Sequence, residues 1–206
     1  MKNKTEAESL FEAFCSANNI KFLKIIEGPD PSPDYKIILN EMDIYIEVKQ
    51  IDKDEYFDVK IKNGISVGFR KVGKHVRKKI DQARKKRQIK AVADKWAPVI
   101  LLIYNNLDEF QGFGTEPHDF ISAMYGERTL KFDKNEYKII DYFQGRNKSF
   151  EENKNTSFSA VGLLSKIGKD ISLIIYENAF AKNKLDYSKI PSCISFTRVE
   201  IERIRL

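Results

Sequence analysis

The sequence predicts an α/β (α+β) chain built on a central mixed β-sheet flanked by helices, and three observations carry that expectation. Apolar residues recur at helical spacing over 5–17 and again over 74–93. Between those stretches lie short runs with an apolar period of two, the pattern of strands covered on one face. The run 98–104, Pro-Val-Ile-Leu-Leu-Ile-Tyr, is then apolar without a break, as befits a strand covered on both faces. The order helix, three strands, helix, strand places helices on both sides of one sheet. A length of 206 residues suffices for a single domain with a substantial core.

Each element has a local reason. Leu10, Phe11, Phe14 and Cys15 form the inward stripe of the first helix, and Thr5 with Glu8 three residues on reads as its capping box. A strand follows over 20–26. The run Gly28-Pro29-Asp30-Pro31-Ser32-Pro33 stops any regular element, so the second strand starts at Asp34 and ends at Leu39. A turn near 40–42 leads into a third strand over 43–50, with Ile44, Ile46 and Val48 on one face and Tyr45, Glu47 and Lys49 on the other. Asn63-Gly64 tolerates positive φ at both positions and centres an inserted hairpin over about 52–70. The helix from 74 to about 93 carries the narrow apolar stripe Val76, Ile80 and Ala83. Beyond this core of 5–104, residues 105–206 read as a C-terminal elaboration of the same domain. It comprises a short helix over 120–125, short strands over 129–132 and 137–142, a polar loop over 144–157, and strands over 158–164 and 171–176.

Charge is concentrated. The chain carries a net +6, yet residues 71–90 hold ten Lys or Arg and one Asp, which leaves the remainder net acidic. A basic helix of this kind is either a solvated face or a phosphate-binding surface. Its location beside the third strand favours phosphate contact. Cys15 and Cys193 are the only cysteines, too few for a disulfide framework or a thiolate zinc site, and read as reduced thiols. The first residues lack the apolar centre of a secretory signal, and no run of about 18 apolar residues occurs, so the expectation is a soluble, cytoplasmic protein with no membrane partner.

The third strand carries the chemistry. Glu47 and Lys49 share one face of a strand whose other face is apolar, and ionised groups beneath a covered sheet cost free energy unless paired or bound to an ion. A tight connection brings Asp34 beside Glu47. Two neighbouring carboxylates repel each other, and a hard divalent cation relieves the repulsion while leaving positions for phosphate and water. Mg²⁺ fits best, with Mn²⁺ able to substitute. An adjacent ammonium then positions water and offsets charge growing on phosphate oxygens. The implied reaction is phosphodiester hydrolysis.

Pro33-Asp34, the intervening connection and Glu47-Val48-Lys49 resemble the signature of the PD-(D/E)xK nuclease superfamily. The order of elements over 5–104 is similar to that superfamily's restriction-endonuclease-like αβββαβ core, with additional C-terminal strands here. The resemblance implies metal ligation by Asp34 and Glu47, with help from the Val48 carbonyl, and a water-handling role for Lys49. It also implies a supporting acid on the first helix, for which Glu8 is the choice and Glu6 and Glu12 are alternatives. The spelling acid-x-Lys also occurs at Asp34, Asp58, Glu136 and Glu152, and Asp58-Val59-Lys60 is the nearest decoy. What separates Glu47 is the alternating strand, the Pro-Asp before it and the basic helix after it. The Gln-x-x-x-Tyr of some exonuclease-like members is absent, since Lys86 follows Gln82.

The expectation is a Mg²⁺-dependent deoxyribonuclease, an endonuclease of restriction, defence or repair, with a homodimer compatible with that role. Asp34, Glu47, Lys49 and Glu8 are its catalytic set. Gln50, Lys74, Arg77, Lys78, Arg84, Lys85 and Arg87 would contact DNA, although Gln50 serves equally as a strand-end hydrogen bond. The rivals are an RNA nuclease and a non-catalytic nucleic-acid-binding protein of the same fold.

Overall fold

A computed structural model describes residues 4–26, 32–52, 71–84, 87–95, 97–106, 113–199 and 204–205. The hairpin expected over 52–70 falls almost wholly outside the described residues, as do Asp58 and Lys60 of the decoy.

Helix α1, Glu6–Ala17, opens with the expected capping box: Thr5 Oγ1 accepts from Glu8 N at 3.2 Å, and the Glu8 carboxylate accepts from Thr5 N at 2.8 Å. Strands β1 (Lys21–Lys24), β2 (Tyr35–Leu39) and β3 (Met42–Ile51) form an antiparallel meander. The β2–β3 turn puts Asn40 and Glu41 at φ 43° and 68°, both left-handed, as a two-residue hairpin turn requires. The basic segment is described as two helices, α2 (Lys74–Arg84) and α3 (Arg87–Asp94), where the apolar periodicity predicts one; residues 85 and 86 between them lie outside the described residues. Strand β4, Val99–Asn105, is buried along its whole length.

The second half completes the same sheet. After α4 (Pro117–Tyr125) and the hairpin β5 (Arg128–Asp133) and β6 (Lys138–Gln144), strands β7 (Ala160–Ile167), β8 (Asp170–Glu177) and β9 (Ile194–Thr197) extend the meander into a seven-stranded mixed sheet of order β1-β2-β3-β4-β7-β8-β9. Strands β3, β4 and β7 are mutually parallel at its centre. Strands β7, β8 and β9 are therefore part of the central sheet itself. Gly162 of β7 sits so close to β4 that a Cβ there would lie 2.8 Å from Leu102 Cδ2. Hairpin β5–β6 with β10 (Ile204–Arg205) makes a separate three-stranded sheet.

Two apolar layers cover the central sheet. On one face Leu10, Phe11 and Phe14 of α1 meet Tyr35, Ile37, Ile44, Ile46 and Leu102. On the other, Val76, Ile80 and Ala83 of α2 and Phe120 of α4 meet Val99, Leu101, Ile103 and Val161. Helix α2 is seated against α4 at Gly73, whose N–H donates to the fully buried Asp119 carboxylate at 2.7 Å. Gly73 has φ 69°, and a Cβ would stand 2.8 Å from Asp119 O, so only glycine fits that junction. Among the described residues no helix is long and apolar enough to cross a membrane.

Candidate functional site

The end of β2 and the second half of β3 bring Asp34, Glu47 and Lys49 together. Tyr35 pairs with Ile46, so the antiparallel register places Asp34 opposite Glu47, one step beyond the last ladder pair. Pro33 precedes it without an N–H. Beyond the end of β2 the Val48 N–H has no backbone acceptor on that side, and Asp34 Oδ2 supplies one at 2.7 Å. That bond fixes the Asp34 carboxylate beside residues 47–49.

Glu47 pairs in parallel register with Leu101 of β4 and is completely buried, on the face covered by α2. Its Oε1 accepts from Lys49 Nζ in a short contact, and Lys49 Nζ also donates to the Val48 carbonyl at 3.1 Å. The Lys49 side chain retains 19% exposure, which leaves the ammonium at the edge of the buried layer. A carboxylate and a backbone carbonyl thus converge on one cation, and that cation is supplied by the protein itself.

Helix α2 lies over this face. Its predicted contact residues separate into different environments. Lys78 is exposed and Lys74 half-buried. Arg77 turns back into the fold, its Nε 2.9 Å from Asn147 O and its Nη2 3.4 Å from both Val72 O and Ser122 O. Arg84 is exposed and lies 3.7 Å from Asp81. Lys85 falls outside the described residues, and Arg87 opens α3.

Sequence reasoning missed Lys79. It borders the buried stripe of Val76, Ile80 and Ala83 and is half-buried. Burial pushes its ammonium pKa below the usual lysine value; Asp52 opposes the shift, and the positive charges of Lys78 and Lys49 add to it. A second cation therefore shares the electrostatic surroundings of Lys49. The available signal was helical phase, since position 79 adjoins the apolar stripe.

At the C-terminal ends of the parallel strands β3 and β4 a polar network ties the strand ends to α1. Gln50 Oε1 accepts from Ala7 N of α1 at 2.9 Å, and Gln50 Nε2 donates to Asp52 Oδ1 at 2.6 Å. Asn106 Nδ2 reaches the same Asp52 oxygen at 3.2 Å. Gln50 thus serves here as the strand-end hydrogen bond, satisfying one of the orphan donors of α1.

The acids of α1 stand with the opposite layer. Glu8 is held by Thr5 and by Lys24 at 3.1 Å. Burial alone would raise its pKa, but hydrogen bonds from Thr5 and Lys24 bring it below the usual value. Glu12 accepts from Tyr35 Oη at 2.7 Å and from Lys4 at 2.6 Å, and Glu6 from Tyr104 Oη at 3.3 Å. The structure therefore gathers Asp34, Glu47 and Lys49 but leaves Glu8 with partners of its own. A separate group, Glu116, His118 and Asp119, brings three ligand-type atoms within 4.8 Å. It is a capping arrangement at the start of α4, with the Asp119 carboxylate accepting from Glu116 N at 3.3 Å and from Gly73 N. Both cysteines are free, and burial pushes the Cys15 thiol up to about 12, which makes it unreactive. Comparison of the chain with protein-family models, curated proteins and solved structures finds no match.

Proposed function

We propose that this protein is a Mg²⁺-dependent nuclease of the PD-(D/E)xK type that hydrolyses DNA phosphodiester bonds, an endonuclease of restriction, defence or repair. One observation carries the reading: a fully buried Glu47 and its Lys49 partner share a sheet face with Asp34, whose carboxylate is anchored to the same strand at Val48. Burying a carboxylate costs free energy that an apolar residue of similar size would avoid, so a function at that position explains its presence better than stability does.

The donor set suits magnesium. Asp34, Glu47 and the Val48 carbonyl offer hard oxygens, and the last two already hold one ammonium. These residues would hold Mg²⁺, or Mn²⁺ in its place, which when bound polarises the phosphate and lowers the pKa of water. Asp34 keeps its place through the Val48 N–H, so its orientation is preset. Lys49, released from full engagement with Glu47, orients water and stabilises charge on the phosphate oxygens. Lys74, Lys78 and Lys79 on α2 neutralise neighbouring phosphates without reading sequence. Nothing in these groups discriminates deoxyribose from ribose, and RNA is the alternative substrate.

The completed ion pair also favours a second reading, a nucleic-acid-binding protein in which Glu47 and Lys49 are a structural tie. Incubation with linear, circular and branched DNA and with RNA, in Mg²⁺, Mn²⁺ or EDTA, separates the two. Metal-dependent cleavage that disappears in Glu47→Ala supports the nuclease; tight binding without cleavage in either metal supports the tie.

A further inference from the structure

The ribbon β5–β6 stands apart from the central sheet and is unlike the rest of the surface. In an antiparallel pair, directly opposed residues share a face. Leu130 opposes Tyr142 and Phe132 opposes Ile139, so these side chains line one face. That face is bare, with Leu130 56%, Phe132 51% and Ile139 45% exposed. At the tip Tyr137 is 81% exposed and packs edge-on against Phe132, ring centroids 6.5 Å apart. Tyr137 also holds φ 53°, a left-handed conformation that costs a non-glycine residue about 1 kcal/mol or more. Asn or Gly would fill that position without the strain, and water gains nothing from an aromatic ring there.

Cations lie about the ribbon. Arg128 shares the apolar face and lies over the Tyr142 ring, Lys134 is in the tip turn, and Lys131 is on the opposite face across from Asp141; Lys131, Lys134 and Arg146 have no ion pair among the described residues. The ribbon's acids are engaged locally: Asp133 Oδ1 accepts from Asn135 N at 2.8 Å, Asp141 Oδ1 from Tyr142 N at 2.8 Å, Glu136 bridges Lys138, and Glu127 meets Lys71 at 3.5 Å and Asn147 at 2.9 Å. The base of the ribbon is tied to the basic helix, since Arg77 donates to Asn147 O and Lys71 reaches Glu127.

We propose that the β5–β6 ribbon is a second nucleic-acid contact, on which Phe132 and Tyr137 stack with unpaired bases while Lys134 in the tip turn holds the adjoining phosphate. Exposed rings beside the tip cation Lys134 match the two components of a single strand, apolar base faces and a charged backbone. A duplex keeps its base faces stacked and out of reach of such a tip. The inference takes the identity of the polyanion from the nuclease reading, but its test does not depend on catalysis.

Binding is measured in EDTA with an oligothymidine of about 20 nucleotides and with a duplex of equal length. The double variant Phe132→Ser, Tyr137→Asn should lose about tenfold or more in single-strand affinity, the scale of losing a stacked base, with the duplex changed much less. Its melting temperature should hold, because both rings are exposed and Asn suits the left-handed turn. The indole fluorescence of Tyr137→Trp should be quenched by the oligothymidine. Single-strand affinity within about twofold of wild type and an indole at position 137 that stays unquenched would overturn the proposal. So would loss of a wild-type dimer in the double variant with nucleic-acid affinity unchanged, which would give the face to a second copy of the chain. Cleavage by the wild type with the ribbon inert defeats this inference and leaves the nuclease standing. Ribbon-dependent binding without cleavage does the reverse.

Discussion

The two faces of the central sheet handle their acids in opposite ways. On the α1 side, Glu6, Glu8 and Glu12 sit at the rim, where each accepts hydrogen bonds from a neighbour that also benefits: a helix start, a tyrosine hydroxyl or a lysine. On the α2 side, Glu47 lies fully inside an apolar layer, beside a lysine and opposite a second anchored carboxylate. Rim acids contribute modestly to stability because water already solvates them well. A buried acid is a liability unless it binds something, and this contrast directs attention to Glu47 rather than to the more numerous acids of α1.

The sharpest way to break the contrast is catalytic. In purified, folded protein, Lys49→Ala should reduce Mg²⁺-dependent cleavage by about a hundredfold or more, with substrate affinity within a few fold, because its contribution arises in the transition state. Glu47→Ala should abolish cleavage together with metal binding, measured by calorimetry. Equal cleavage by wild type and Lys49→Ala would remove the assignment and move attention to Asp58 and Lys60.

A stability measurement comes next. In metal-free buffer, Lys49→Met should cost up to about 3 kcal/mol, because it strands a buried carboxylate, with the partial exposure of Lys49 limiting the loss. The double change Glu47→Gln, Lys49→Met should recover most of it in urea unfolding. If the double variant is as unstable as the single, the pair is a structural tie and the two faces differ less than argued.

Smaller effects distinguish the cations of α2. Changing Lys74, Lys78 and Lys79 to Gln should flatten the salt dependence of duplex binding by about 0.9 log units for each phosphate no longer neutralised. Changing Arg84, Lys85, Lys86 and Arg87 tests the remainder of the segment, and the larger slope change identifies which end meets the phosphates. Arg77→Gln should instead lower the melting temperature, since its guanidinium holds the carbonyls of 72, 122 and 147.

The smallest effect belongs to the α1 side. Thr5→Ala should cost about 1 kcal/mol by removing the cap, with cleavage unchanged. Glu8 has a folded pKa below its ordinary 4.5, so its stabilisation is complete above that value and is lost as pH falls through the lower folded value. Glu8→Gln should therefore reduce the pH dependence of stability in that acid window. A large loss of cleavage in Glu8→Gln at neutral pH would instead join the two faces into one site.

Much of the architecture follows from local pattern. The Thr5–Glu8 cap, the alternation that puts Glu47 and Lys49 on one face, the tight turn at Asn40-Glu41 and the doubly covered β4 each depend on residues a few positions apart, and chain geometry enforces them directly. The sequence therefore determined which side chains share a strand face and where most elements begin. Only the tertiary structure decided who meets whom across the chain. Strand β7 slots beside β4, β9 adds an edge, Asp34 completes the hydrogen bonding of Val48, Gln50 reaches back to α1, Arg77 turns inward and Lys79 is half-buried beside the apolar stripe of α2. These depend on strand order and on the rotational phase of a helix against a sheet. Both are set by the packing of the whole core, where many weak contacts far apart in sequence are satisfied together.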